Sequence, residues 1–133
     1  MDKYLDPEVS YKRLYDEYKK YGSLIVAVDF DDTLYDFHKV GNSYEQMHQL
    51  VRDLHKANCY IVIWTGNQDE DLIISYLDDN DIPFDSINNE APVSLKMLGQ
   101  NIPRKVYANV YLDDRAGLVQ VYNDLKRLLD EIK

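Results

Sequence analysis

Val26-Ala27-Val28-Asp29-Phe30-Asp31-Asp32-Thr33-Leu34-Tyr35-Asp36 sets four carboxylates at and beyond the end of an apolar run. Asp29, Asp31 and Asp32 repel one another unless something positive sits among them. The run itself, Leu24 to Val28, has no polar alternation, which is how a strand covered on both faces of a parallel sheet reads. Tyr60 to Trp64 and Val106 to Leu112 read the same way, and a weaker strand is expected around Phe84 to Ile87, after the Asp81-Ile82-Pro83 break.

Helical patterns lie between these runs. Ser43 to Lys56 places Tyr44, Met47, Val51 and Leu54 on one face, and Gln68 to Leu77 does the same with Leu72, Ile73, Tyr76 and Leu77. Leu118 to Ile132 closes the chain. At the other end, Tyr11, Leu14, Tyr15, Tyr18 and Tyr21 recur at helical spacing between an Asp6-Pro7 start and Gly22. The stripe reads first as an amphipathic helix within residues 1–21, laid on the core. A tyrosine-lined binding or oligomer surface is the sharper alternative.

Alternating strands and helices predict an α/β fold: a doubly wound, Rossmann-like parallel sheet with helices on both faces. Its ligand crevice lies beyond the C-terminal strand ends, where the strand order reverses. Asp29 follows the first strand, Thr65 the second, and Asp113-Asp114 the last, so these residues should gather at one rim. Facing acidic clusters either raise a pKa or bind a hard cation through oxygen ligands. Magnesium suits such a site, because it takes one or two carboxylates and leaves positions for water and phosphate oxygens.

The residues from Ser23 to Ile132 resemble the haloacid dehalogenase (HAD) superfamily of aspartate-dependent phosphotransferases. Its first motif appears as Asp29-Phe30-Asp31-Asp32-Thr33, its second as Thr65 in Ile-Val-Ile-Trp-Thr-Gly, and its fourth as Asp113-Asp114 in Val-Tyr-Leu-Asp-Asp. The ending Tyr-Ala-Asn-Val-Tyr-Leu-Asp-Asp-Arg-Ala is similar to capless deoxyribonucleotidase-like and small phage or bacterial hydrolases. The resemblance implies a Mg2+-dependent phosphatase working through an aspartyl-phosphate on Asp29. Asp31 would be the general acid and base, and its backbone carbonyl a metal ligand beside Asp29, Asp113 and Asp114. It leaves open which of Asp113 and Asp114 binds directly. Thr65 and the amide of Gly66 would hold phosphoryl oxygens, and Thr33 would brace the loop. Asp32 stands where many relatives have glycine, adding a charge near the metal.

The family also supplies a cation to the transferring phosphoryl group. Lys105 in Pro-Arg-Lys-Val-Tyr is the first choice here and Lys96 the alternative, with Arg104 and Arg115 behind them. His38, in the flap Tyr35 to Asn42, is a candidate substrate contact. His48 and His55 flank an apolar stripe and read as partly buried structural residues, Asn67 to Glu70 read as a helix start, and Cys59 reads as an inert core thiol.

Composition bounds the rest. The 133 residues suit one domain, 1–133, and neither interval between motifs has room for a cap. No apolar run approaches the ~18 residues of a membrane span, and the start lacks a secretory pattern, so the setting expected is cytoplasmic. A net charge of -9 opposes binding to long nucleic acid or anionic membrane. The partner expected is a small phosphorylated substrate, with a nucleoside monophosphate favoured over sugar phosphates and phosphoproteins, and a homo-oligomer is compatible with the open site.

Two rivals compete with a hydrolase: a catalytically silent interaction module and a phosphotransferase with a non-water acceptor. A signalling receiver domain is disfavoured, since its phosphoacceptor sits on a middle strand and its lysine on the last.

Overall fold

β1 (Ile25–Val28) runs through the middle of a four-stranded parallel sheet, between β2 (Tyr60–Ile63) and β4 (Val110–Leu112), with β3 (Ser86–Ile87) outside β2. The computed structural model describes residues 2–99 and 104–133. Val26 pairs with Ile61 on one side and Val110 on the other, and Val28 pairs with Ile63 and Leu112. This register sets the ends of β1, β2 and β4 level with one another.

Among the described residues, five α-helices wrap the sheet: α1 (Pro7–Tyr21), α2 (Glu45–Lys56), α3 (Glu70–Asp79), α4 (Pro92–Leu98) and α5 (Leu118–Glu131). Val26, Val28, Ile61 and Ile63 point into the larger core, where Leu14, Leu54, Leu77 and Leu125 meet them from four of these helices. Ile25 and Val62 point the other way and meet Ala91 and Val106, on the return path from β3 to β4. Both faces of each strand are therefore covered, which explains the unbroken apolar runs. The doubly wound architecture expected from the alternation is present, and among the described residues no cap domain is added to it.

Local chemistry sets the helix ends. Asp6 caps α1 by accepting the Glu8 N–H, Pro7 takes the first turn without needing a donor, and Gly22 ends the helix at φ +67°. Tyr11 and Leu14 are buried, Tyr18 donates its hydroxyl to the Ala57 carbonyl, and Tyr21 is exposed. Most of the tyrosine stripe is therefore packing.

Strand lengths depart from expectation where side chains replace the backbone ladder. The strand expected from Val106 begins only at Val110, because the Tyr107 N–H goes to the Glu90 carboxylate and the Ile25 N–H to Asn109 Oδ1 at 2.6 Å. The strand expected from Phe84 begins at Ser86, since Asp85 Oδ2 accepts the Ile61 N–H at 2.8 Å. α2 starts at Glu45 after Tyr44, whose φ of 54° is not helical, and α3 starts at Glu70 after Asp69 accepts the Leu72 N–H. Among the described residues, no helix is long and apolar enough to cross a membrane.

Candidate metal centre and phosphate site

Beyond β1 the chain leaves the sheet at the point where strand order reverses, with β2 on one side and β4 on the other. The Asp29 N–H donates to the Leu112 carbonyl at 2.8 Å, so the last backbone bond between the two strands fixes Asp29 beside Asp113. The loop then turns back on the Phe30 carbonyl, which accepts the N–H groups of Leu34 and Tyr35 at 3.0 Å each. Phe30 is fully buried and stacks on Tyr35 at 5.1 Å between ring centroids, with Tyr76 edge-on. Deleting such a ring typically costs about 3–5 kcal/mol, so the loop carrying the acidic residues rests on a rigid aromatic base.

Asp29, Asp113 and Asp114 converge, each offering a carboxylate oxygen within 4.8 Å of the others. The buried Thr33 hydroxyl joins two of them, donating toward Asp29 Oδ2 at 3.2 Å and lying 3.5 Å from Asp114 Oδ1. It also accepts the Asp114 N–H at 3.2 Å. Burial, first of all, pushes the Asp29 carboxyl up to about 7, helped by its hydrogen bond with Asp114 and the charge of Asp113, and opposed by Thr33. An all-oxygen donor set crowded enough to hold a proton on one member fits a hard divalent cation, which would replace that proton.

The remaining acids point elsewhere. Asp31 Oδ1 accepts a hydrogen bond from Asn67 Nδ2 at 3.2 Å, outside the convergent trio. Asp32 sits at φ 60°, a left-handed conformation that glycine takes freely and Asp tolerates. Its Oδ2 lies 2.8 Å from His38 Nδ1, so the additional charge expected near the metal is turned toward the flap.

Thr65 follows β2 and is held from three sides. Its N–H donates to Asn88 Oδ1 at 2.8 Å, its carbonyl accepts from Asn88 Nδ2 at 2.9 Å, and its hydroxyl oxygen accepts the Asn67 N–H at 3.0 Å. That leaves the hydroxyl hydrogen to donate outward. Gly66 is exposed next to it, and an open cavity of about 410 Å³ adjoins both, lined further by Asn67, Gln68, Asn88 and Asn89.

The cations stand apart. Lys105 is exposed with its Nζ 5.1 Å from the Tyr111 ring centroid, and Lys96 is exposed on α4. Arg104 and Arg115 are also exposed. Among the described residues, no lysine or arginine forms an ion pair with Asp29, Asp31, Asp113 or Asp114.

The histidines separate by environment. His48 is buried and donates from Nε2 to the Leu34 carbonyl at 2.8 Å, which also accepts the Tyr76 hydroxyl at 2.8 Å. It thus anchors the motif loop from below. His55, expected to be partly buried, is instead surface-exposed, because it lies at the edge of α2's apolar face, 3.8 Å from Asp85 Oδ1. Burial pushes the Cys59 thiol up to about 11, as an inert core cysteine requires.

Sequence reasoning missed Asn67 and Asn88 as parts of the site. A signal for Asn67 was available: the helix needs one cap, Asp69 supplies it, and a carboxamide two residues beyond Thr65 is left over.

The sequence matches no family model, and no curated protein matches it significantly. A solved structure of a conserved protein from Bacteroides thetaiotaomicron is similar in fold, with a TM-score of 0.63, over 79% of this chain and 91% of that one, at 21% identity. The chain shares that protein's α/β fold, and its acidic trio can hold a metal ion.

Proposed function

We propose that the chain is a magnesium-dependent phosphomonoester hydrolase of the haloacid dehalogenase type. One observation carries the reading: Asp29 stands at the strand-order reversal inside a carboxylate trio, joined through the Thr33 hydroxyl to Asp114, while Asp31, two residues on, keeps its carboxylate out of that trio. The site thus separates a group suited to bind metal and attack phosphorus from one suited to move protons.

A carboxylate oxygen of Asp29 attacks phosphorus in line, forming the acyl phosphate as the bond to the leaving oxygen breaks. Asp31 gives its proton to that oxygen, then takes one from the water that cleaves the phosphoryl group from Asp29. The Thr65 hydroxyl and the Gly66 N–H donate to the phosphoryl oxygens as charge grows there. Asp29, Asp113, Asp114 and the Asp31 carbonyl would hold magnesium, whose positive charge would let one anion approach another. Lys105 is the cation assigned to the phosphoryl group.

The substrate assigned is a nucleoside monophosphate, whose base would find in Phe37 a half-exposed ring on the flap, packed edge-on against His38. Hydrolysis of an aryl phosphate tests the reaction. It should require magnesium, stop on chelation and be lost in Asp29→Asn, with a phospho-protein trapped by rapid quench in Asp31→Asn. Activity of Asp29→Asn comparable to the parent chain rules the mechanism out.

A further inference from the structure

We propose, building on the phosphatase reading above, that Asn67 is a positioning residue that confines the transferable proton of Asp31 to Oδ2. Asn67 is half-buried, and its N–H and both polar side-chain atoms are engaged. Its N–H donates to Thr65 Oγ1 at 3.0 Å, its Oδ1 accepts the Asp69 N–H at 2.9 Å, and its Nδ2 donates to Asp31 Oδ1 at 3.2 Å. The Asp69 contact decides which way the carboxamide faces. A flipped amide would set Nδ2 against another N–H donor and Oδ1 against a carboxylate, so both contacts would become repulsive.

Asp31 Oδ1 therefore always meets a donor, and a proton on that oxygen would confront the amide hydrogens. The proton is left to Oδ2, and the leaving oxygen must come within hydrogen-bond reach of that atom. In the first half-reaction the Oδ2 proton passes to the leaving oxygen as its bond to phosphorus breaks. In the second, Oδ2 takes a proton from the attacking water as the bond from Asp29 to phosphorus breaks. A role confined to starting α3 does not account for this arrangement, because the capping bond to Leu72 comes from Asp69 at 3.1 Å.

Asn67→Asp retains the shape and the acceptor for the Asp69 N–H while replacing the donor, and Asn67→Ala removes both. The test compares kcat/KM, which reports only the steps through formation of the acyl phosphate, for p-nitrophenyl phosphate, whose leaving group departs without protonation, and for an alkyl phosphate, whose leaving group needs the proton. For Asn67→Asp, kcat/KM should fall by on the order of 100-fold for the alkyl ester and by less than about threefold for the aryl ester, the gap being the contribution of a positioned acid. The melting temperature should change little. Equal loss on both esters, as a disturbed Thr65 loop would give, or no loss on either, overturns the proposal.

A second readout does not depend on turnover. The side-chain amide resonance of Asn67 should shift in Asp31→Ala, and an unmoved resonance overturns the contact itself. Parent protein that hydrolyses neither ester while keeping that amide contact overturns the phosphatase reading and the proposal with it. Active parent protein with an unchanged ester ratio in Asn67→Asp overturns the role of Asn67 alone.

Discussion

The Thr33 hydroxyl accepts the backbone N–H of Asp114 at 3.2 Å, joining the loop after the first strand to the loop after the last. Thr33→Val keeps the volume but leaves that N–H and the Asp29 carboxylate without their partner. Removing one member of a buried hydrogen bond costs about 1–3 kcal/mol, and denaturant midpoints should fall accordingly. Thr33→Ser should recover most of the loss. Stability of Thr33→Val equal to the parent's would mean that the bridge contributes nothing.

Asp29 makes the metal-free protein sensitive to pH. Its carboxyl titrates near 3.8 in ordinary surroundings and at about 7 in the folded chain, so between those values the native state holds a proton that the unfolded state has released. The stabilisation is complete below the lower value and disappears as pH rises through the upper one. Thermal melts in chelator should show the parent chain losing stability relative to Asp29→Asn between about pH 4 and pH 7. Saturating magnesium should abolish that relative loss, because the cation takes the place of the proton. A constant difference between the two proteins across that range contradicts the assignment.

Lys105→Ala should lower kcat and kcat/KM together, whereas Lys96→Ala should leave both near the parent values. Loss of transition-state stabilisation has the first signature, and loss of uniform binding mainly raises KM. The reverse ranking would move the catalytic cation to α4. Lys105 rests with its Nζ 5.1 Å from the Tyr111 ring centroid. Tyr111→Leu should therefore leave the lysine functional while removing its resting contact.

Substrate choice is open to a panel of phosphate esters. A nucleoside monophosphate should exceed sugar phosphates and phosphopeptides by at least about tenfold in kcat/KM, or about 1.4 kcal/mol. Phe37→Ala should erase most of that preference. Flat activity across the panel, or a preference for sugar phosphates, removes the nucleotide assignment.

The sequence made the sheet and the acidic rim legible for a physical reason. Strands buried on both faces, such as Val26 to Val28 and Ile61 to Ile63, must be apolar throughout, and whatever follows them at the switch point must be the polar chemistry. The carboxamides were harder to see. Asn88 closes the Thr65 peptide with both side-chain atoms, and Asp85 and Asn109 extend strand ends in the same manner. Such bonds depend on which loops meet in space, and Asn or Asp in a turn looks the same in sequence whether it caps its own backbone or another segment's. Asp32 was misleading for a related reason: its position shows the charge, but only its backbone turn shows that the charge faces His38.

The pairing of Val26 with Val110 has a consequence for how the chain reaches its native state. β1 and β2 meet across one helix, but β4 must find β1 after closing a loop of roughly 80 residues, and non-local parallel pairing is slow because closure entropy is lost before contacts compensate it. During synthesis Asp29 emerges long before Asp113 and Asp114, so a growing chain carries one member of the acidic trio and no complete rim. Docking of β4 is thus the step that creates the site, and in refolding experiments metal-dependent fluorescence or activity should appear with the slowest phase while helix signal recovers earlier.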